Sequence, residues 1–157
     1  MSLPSTSNAV PALTLRPVSK ENWRAVAQLT VAPQQTAFVA TPCYYLALCC
    51  YDDIWHPLAI ILGDAVIGFC MWGIDPADQS CWIGGLLIDQ HYQGRGHGKG
   101  ALQAALMMLS EQYDHQVFAL SYQPNNLTAK KLYASLGFRE TGEWEDDEVV
   151  ARLRYVP

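Results

Sequence analysis

Four glycines, Gly94, Gly96, Gly98 and Gly100, alternate with Arg95, His97 and Lys99. Glycine has no Cβ, so successive backbone N–H groups can close on an anion, and a helix starting at such a loop adds the positive end of its dipole. The spacing therefore suits a phosphate cradle. A tight turn alone needs one or two positive φ angles, fewer than this density of glycine provides. A nucleoside-triphosphate loop does not fit, because Gly98-Lys99 is followed by Gly100 and Gln93 stands where that motif has its first glycine. Gly96-x-Gly98-x-x-Ala101 matches a variant dinucleotide fingerprint, yet no Asp or Glu closes the next apolar run at Val117 to Ser121.

Other chemistry-bearing residues are Asn126 and Tyr133 on one helical pattern, His91 and His97 near the glycines, and an acidic run of Glu143, Glu145, Asp146, Asp147 and Glu148. Such a run could draw a polycation, but at a hairpin turn it is ordinarily a solvated tip, and we read it so. The five cysteines form no CxxC pair and lack zinc spacing, so no metal is expected and a reduced, cytoplasmic setting is. A net charge of −5 opposes binding to a nucleic-acid backbone and favours cationic small molecules. No apolar run is long enough to cross a bilayer, and the first dozen residues do not read as a secretory signal.

The elements that must position these residues follow from periodicity and turn chemistry. We expect a loose arm over residues 1–12 and a single domain over 13–157. Within it, Leu13 to Pro17 reads as a strand, Ser19 caps a helix from Lys20 to about Ala32, and Pro42 opens a second helix after Thr41. Pro57 to Leu62 and Ala65 to Trp72 make a hairpin about Gly63-Asp64, and Cys81 to Ile88 is a further strand. The glycine loop then leads into a helix from Lys99 to Gln112. Val117 to Ser121, a helix from Asn126 to Leu136 stopped by Gly137, and the pair Phe138 to Trp144 and Val149 to Tyr155 complete the chain. Gly84-Gly85 inside a strand marks a bulge or close ligand approach, or else a local packing accommodation.

The string from Leu86 to Lys99, with Gln93-x-x-Gly96-x-Gly98 at its centre, resembles the cofactor motif of the GNAT superfamily of N-acetyltransferases. Asn126-x-x-Ala129-x-x-Leu132-Tyr133-x-x-x-Gly137-Phe138 is similar to that family's later helix and its cap. The resemblance implies acetyl-CoA as co-substrate, with the backbone of Leu86, Leu87 and Ile88 along the acetyl and pantetheine arm. It implies that Gln93, Gly94, Arg95, Gly96, His97, Gly98 and Lys99 surround the pyrophosphate, that Asn126 contacts the CoA arm, and that Tyr133 protonates the departing thiolate. His91 and His97 then serve the phosphate end or solvent rather than catalysis. With the element order, the implied fold is α/β: a mixed, largely antiparallel sheet of six or seven strands with about four helices, split near the cofactor strand.

Over most of residues 13–155 the chain is also similar to bacterial spermine/spermidine (diamine) acetyltransferases. The matching pieces are Leu15-Arg16-Pro17-Val18, Glu21-Asn22-Trp23, Gln35 with Phe38-Val39-Ala40, and Trp82-Ile83 with Ile88-Asp89. That similarity implies a small-molecule polyamine or diamine acceptor bordered by Gln35, Phe38 and Tyr45; Gly85 stands where that subfamily's strand carries Arg. Protein N-termini or lysines, and a CoA sensor without turnover, are the alternatives. Cys81 to Gly85 offers no carboxylate as base, so we expect ordered water drained by a more distant group. The resemblance leaves a homodimer open, and the sequence identifies no interface.

Overall fold

The computed structural model describes residues 12–157. Apart from Ala12, whose carbonyl accepts the Gly63 N–H at 3.2 Å, the expected arm lies outside the described residues. Among these residues, seven strands form one sheet in the order β1-β2-β3-β4-β5-β7-β6. They are β1 (Leu13–Pro17), β2 (His56–Leu62), β3 (Ala65–Ile74), β4 (Cys81–Ile88), β5 (Val117–Tyr122), β6 (Arg139–Glu145) and β7 (Glu148–Arg154). Among the described strands only β4 and β5 pair parallel; every other neighbouring pair is antiparallel. This is the mixed sheet expected from the sequence.

Helices cover both faces. α3 (His97–Tyr113) and α4 (Leu127–Ser135) pack on one side, where Leu102, Leu106 and Leu109 meet Phe118, Leu120 and Ile83. α1 (Trp23–Ala27) and α2 (Pro42–Tyr51) cover the opposite side through Val26 and Leu46, against Ala59, Phe69 and Leu87. Phe69 and Phe118 are fully buried, and each such side chain contributes about 1.5–3 kcal/mol by leaving water. Apolar burial on both faces explains why β2 to β5 read as nearly continuous hydrophobic runs.

The first helix differs from the sequence expectation. It spans only Trp23–Ala27, not Lys20 to Ala32, and Trp23 is exposed. The reason is tertiary: the Thr30 N–H donates to Asp89 Oδ2 at 3.0 Å and the Thr30 carbonyl accepts the Gln90 N–H at 2.7 Å. Backbone groups that a longer helix would have paired internally are satisfied by the segment leaving β4. Ser19 accordingly organises a turn through the Glu21 N–H rather than capping the helix. α3 begins two residues earlier than expected, which places Gly98 in its first turn. Thr41 caps α2 as expected, its side chain accepting the Tyr44 N–H at 3.2 Å.

Candidate active site

The site starts from an irregularity in β4. Phe69 faces Leu87 and Met71 faces Gly84, so two residues of β4 oppose the single residue Cys70 of β3. Gly85 occupies this bulge with φ +61, in the left-handed region, and a Cβ there would stand 3.2 Å from Phe69 Cε1. The bulge reading of Gly84-Gly85 therefore holds, and only glycine meets the conformation without strain. Past the bulge β4 leaves its parallel neighbour: the pairing with β5 stops after Cys81 opposite Phe118 and Trp82 opposite Ala119. Between the diverging strands lies a cleft of about 810 Å³, bordered by Gly84 to Ile88, the end of β5 and one face of α4.

At one end of the cleft the glycine loop enters α3. Gly94 and Gly96 have φ +76 and +80, and a Cβ on either would project into open space with nothing within 4 Å. Gly96 is the helix N-cap and supplies no capping side chain, leaving first-turn N–H groups free to meet an anion. An open cradle of backbone donors at the start of a long helix fits the pyrophosphate of a CoA thioester. Of the residues expected here, Leu86, Leu87, Ile88, Gln93, Gly94, Gly96, His97 and Gly98 line the cleft, whereas Arg95 and Lys99 are exposed beside it.

The loop is tied down by its flanks. Gln93 Nε2 donates to the Ile88 carbonyl at 2.8 Å and to Gln35 Oε1 at 2.6 Å, joining the glycine loop to the 3₁₀ turn Pro33–Gln35. Asp89 accepts the backbone N–H groups of Thr30 and His91, both at 3.0 Å, and faces the His91 ring at 2.8 Å. Partial burial by itself would raise the Asp89 carboxyl; the Thr30 and His91 donors outweigh it and hold the group below its ordinary value. His91, 77% exposed, is thus engaged with Asp89, and it does not line the cleft.

At the other end stand three phenols. The Tyr133 ring packs against Tyr122 and Phe138, with centroids 5.5 and 6.1 Å apart. The side chain lines the cleft, and none of the side-chain hydrogen bonds among the described residues involves its hydroxyl. Burial, followed by the charge of Glu148, pushes the Tyr133 phenol well above its ordinary range, so it stays protonated. Tyr45 stacks on Phe69 at 5.8 Å and its hydroxyl accepts the Ala40 N–H at 3.0 Å. Gln35, Phe38 and Tyr45 all border the cleft. Asn126 does too, while its side-chain oxygen caps α4 by accepting the Ala129 N–H at 3.2 Å.

The acidic run needs correction. Glu145 and Asp146 are exposed, yet both border the cleft, and Glu148 is only half-exposed and lines its wall. The β6–β7 hairpin pairs Glu145 with Glu148 and brings this tip to the border of the cleft, so it is more than a solvated turn. Strand alternation was the available signal, since Glu148 shares a face with the buried Val150. Asp75 is the fourth carboxylate bordering the cleft, and no Lys or Arg borders it among the described residues. No group of metal-ligating side chains forms a site among those residues, and no helix there is long and apolar enough to cross a membrane.

A seven-stranded sheet split beside a bulged strand, with a glycine cradle at one end and a tyrosine at the other, is the frame of an acyl-transfer enzyme. Residues 20–138 match the model of the acetyltransferase (GNAT) family, and the chain belongs to that family. It is an acetyltransferase, with acetyl-CoA as its co-substrate. Among curated proteins it is 29% identical over 137 residues to a probable spermine N(1)-acetyltransferase of Bacillus subtilis subsp. natto, covering 83% of this chain and 90% of that one. Among solved structures it resembles a spermidine N-acetyltransferase from Vibrio cholerae in complex with CoA and spermine, with TM-score 0.71, 18% identity, and coverage of 90% and 93% of the two chains. An aminoglycoside acetyltransferase, AAC(6')-Ib, in complex with coenzyme A gives TM-score 0.76 at 15% identity, covering 91% of this chain and 95% of the other. Identities this low establish a shared fold.

Proposed function

We propose that the protein transfers the acetyl group of acetyl-CoA to a primary amine of a polyamine or small diamine. The observation that carries this reading is the charge of the cleft, where Asp75, Glu145, Asp146 and Glu148 meet no lysine or arginine among the described residues. A multiply cationic amine is attracted there, and an anionic acceptor is not. The spermine acetyltransferase named among the relatives supports the same class.

Acetyl-CoA supplies the thioester. The backbone of Leu86, Leu87 and Ile88 follows its pantetheine arm past the bulge, and the loop from Gly94 to Gly98 holds the pyrophosphate. Arg95 and Lys99 add positive charge outside the cradle. Gln93 fixes the loop, and through Gln35 it joins the cofactor end to the amine end. Asn126 orients α4 as its cap and presents its amide to the CoA arm. Tyr133 gives its proton to the leaving thiolate, while Phe38 and Tyr45 supply apolar walls for the methylenes of the acceptor.

A thiol-release assay with saturating acetyl-CoA tests the reading. Spermidine, spermine and short diamines are compared with an aminoglycoside, a lysine peptide and a peptide with a free N-terminus. The expected result is the highest kcat/KM for a polyamine or diamine. Faster turnover of either peptide overturns the acceptor and leaves acetyl transfer standing; tight CoA binding with no amine turned over makes the chain a sensor.

A further inference from the structure

We propose that Glu148 is the general base of the amine end, accepting the proton that the acceptor's ammonium must lose before its nitrogen attacks the thioester. This rests on the amine-acetylation reading above. An alkylammonium with a pKa near ~10.4 is almost wholly protonated at neutral pH, so a proton acceptor within the cleft is a chemical requirement. The strand that forms the cleft wall, Cys81–Ile88, carries no carboxylate to meet it.

Geometry selects Glu148 from the groups that border the cleft. Glu145 and Asp146 are exposed at the rim. Asp75 follows the end of β3, with Oδ1 taken by the Ala77 N–H at 2.8 Å. His97 belongs to the glycine loop, at the phosphate end. Glu148 begins β7 directly beside the separated end of β5, where the Ser121 hydroxyl donates to its Oε1 at 3.1 Å. The second oxygen, Oε2, has no hydrogen-bond partner among the described residues. Glu148 lines the same cleft as Tyr133 and Tyr45, which come from α4 and α2 on opposite faces of the sheet. The carboxylate thus borders the same cleft as Tyr133, at the end away from the glycine loop, where the proposed reaction brings amine and thioester together.

The electrostatics suit this work. Glu148 faces Asp146, Asp147 and Glu145 in and beside the turn, Tyr133 on α4 and Tyr45 on α2. Desolvation first, and then the charges of Asp147, Asp146 and Glu145, raise its pKa above the ordinary value, while the Ser121 hydroxyl works against them. A carboxylate that holds a proton more strongly is the better base for an ammonium.

The step balances. Glu148 takes one proton from R–NH3⁺ and later releases it to water. The freed amine forms the N–C bond and the C–S bond breaks. Tyr133 gives its proton to the thiolate sulfur and regains one from the acetylated nitrogen, so the net products are the amide, the free thiol and one proton.

The test compares wild type with Glu148→Gln, which keeps the shape and an oxygen for Ser121, and with Glu148→Asp. kcat/KM is measured against pH with spermidine and with a fluorinated ethylamine whose nitrogen is already neutral at the assay pH. For Glu148→Gln a loss of about 10²- to 10³-fold is expected with spermidine at neutral pH. It should shrink as rising pH deprotonates the acceptor, and fall below about tenfold with the fluorinated amine. A loss equal for both acceptors and independent of pH overturns the proposal, as does a spermidine loss under about threefold while chemistry limits turnover. If Glu148→Gln does not fold, Glu148→Asp must show an intermediate loss with the same pH signature, and its absence refutes the assignment. Should a peptide prove the true acceptor, the same comparison on peptide amines of differing pKa decides. Should no amine be acetylated, the proposed function fails by itself. Calorimetric titration of CoA-saturated protein with spermidine then reads Glu148 directly, and unchanged affinity in Glu148→Gln removes the carboxylate from the amine end.

Discussion

Replacing Tyr133 by Phe removes one oxygen and nothing else. None of the side-chain hydrogen bonds among the described residues involves that hydroxyl, so its loss orphans no partner there and lets the ring keep its contacts with Tyr122 and Phe138. The stability change should stay within about 0.5–1 kcal/mol, a melting shift of roughly 1–4 °C for a chain of this size. Catalysis should respond far more. General acid catalysis contributes about 10²- to 10⁴-fold, equivalent to about 2.7–5.4 kcal/mol of barrier, so kcat should fall within that range while acetyl-CoA affinity changes little. Because burial and then Glu148 raise this phenol above its ordinary value of 10.0, it remains a donor at alkaline pH, and wild-type kcat should show no loss from Tyr133 ionisation below that value. Rapid-quench measurement of the first turnover with acyl donors of different thiol pKa separates chemistry from product release. The deficit should diminish as the leaving thiol becomes more acidic. Near-normal single-turnover rates for Tyr133→Phe across all donors would refute the reasoning and leave Tyr133 as a packing aromatic.

Gly96→Ala places a methyl group in the open cradle at a left-handed φ of +80, so calorimetry should show acetyl-CoA affinity reduced at least about tenfold, with about 1–2 kcal/mol lost from folding. Gly85→Arg, which restores the residue expected from the diamine acetyltransferase resemblance, meets a φ of +61 and Phe69 at 3.2 Å; thermal unfolding should fall by about 2–8 °C. Glu148 bears on pH-dependent stability because a carboxyl with a raised folded pKa makes the native state bind protons more strongly than the unfolded chain. Its contribution is therefore most favourable at acid pH and is lost as pH rises through the folded pKa. Chemical denaturation of Glu148→Gln should show a gain over wild type at neutral pH that disappears toward acid; a gain that grows toward acid refutes the sign.

Local chemistry made much of this molecule legible from its residues. Alternating glycines announced an anion cradle because few other uses require so many missing side chains at a helix entrance, and Gly94 and Gly96 do take left-handed conformations there. Thr41-Pro42, Gly63-Asp64 and Gly137 marked boundaries because each has a backbone preference that its neighbours cannot override. Long apolar runs gave the strands. The extent of α1 was not legible, since the bonds that end it join Thr30 to Asp89 and Gln90, residues remote in the chain.

The sequence alone determined the glycine-rich loop, the tyrosine-bearing helix and the order of elements, all of which are written in contiguous residues. Tertiary structure decided which groups share a cleft. Only pairing shows that β4 carries an extra residue at Gly85 and parts from β5 after Trp82, because register belongs to two strands and not to one. Only the folded sheet brings Glu148 beside Ser121 and within electrostatic reach of Tyr133 and Tyr45. A carboxylate in an acidic run reads as solvated until its burial is known, and burial is a property of the neighbours that the fold supplies.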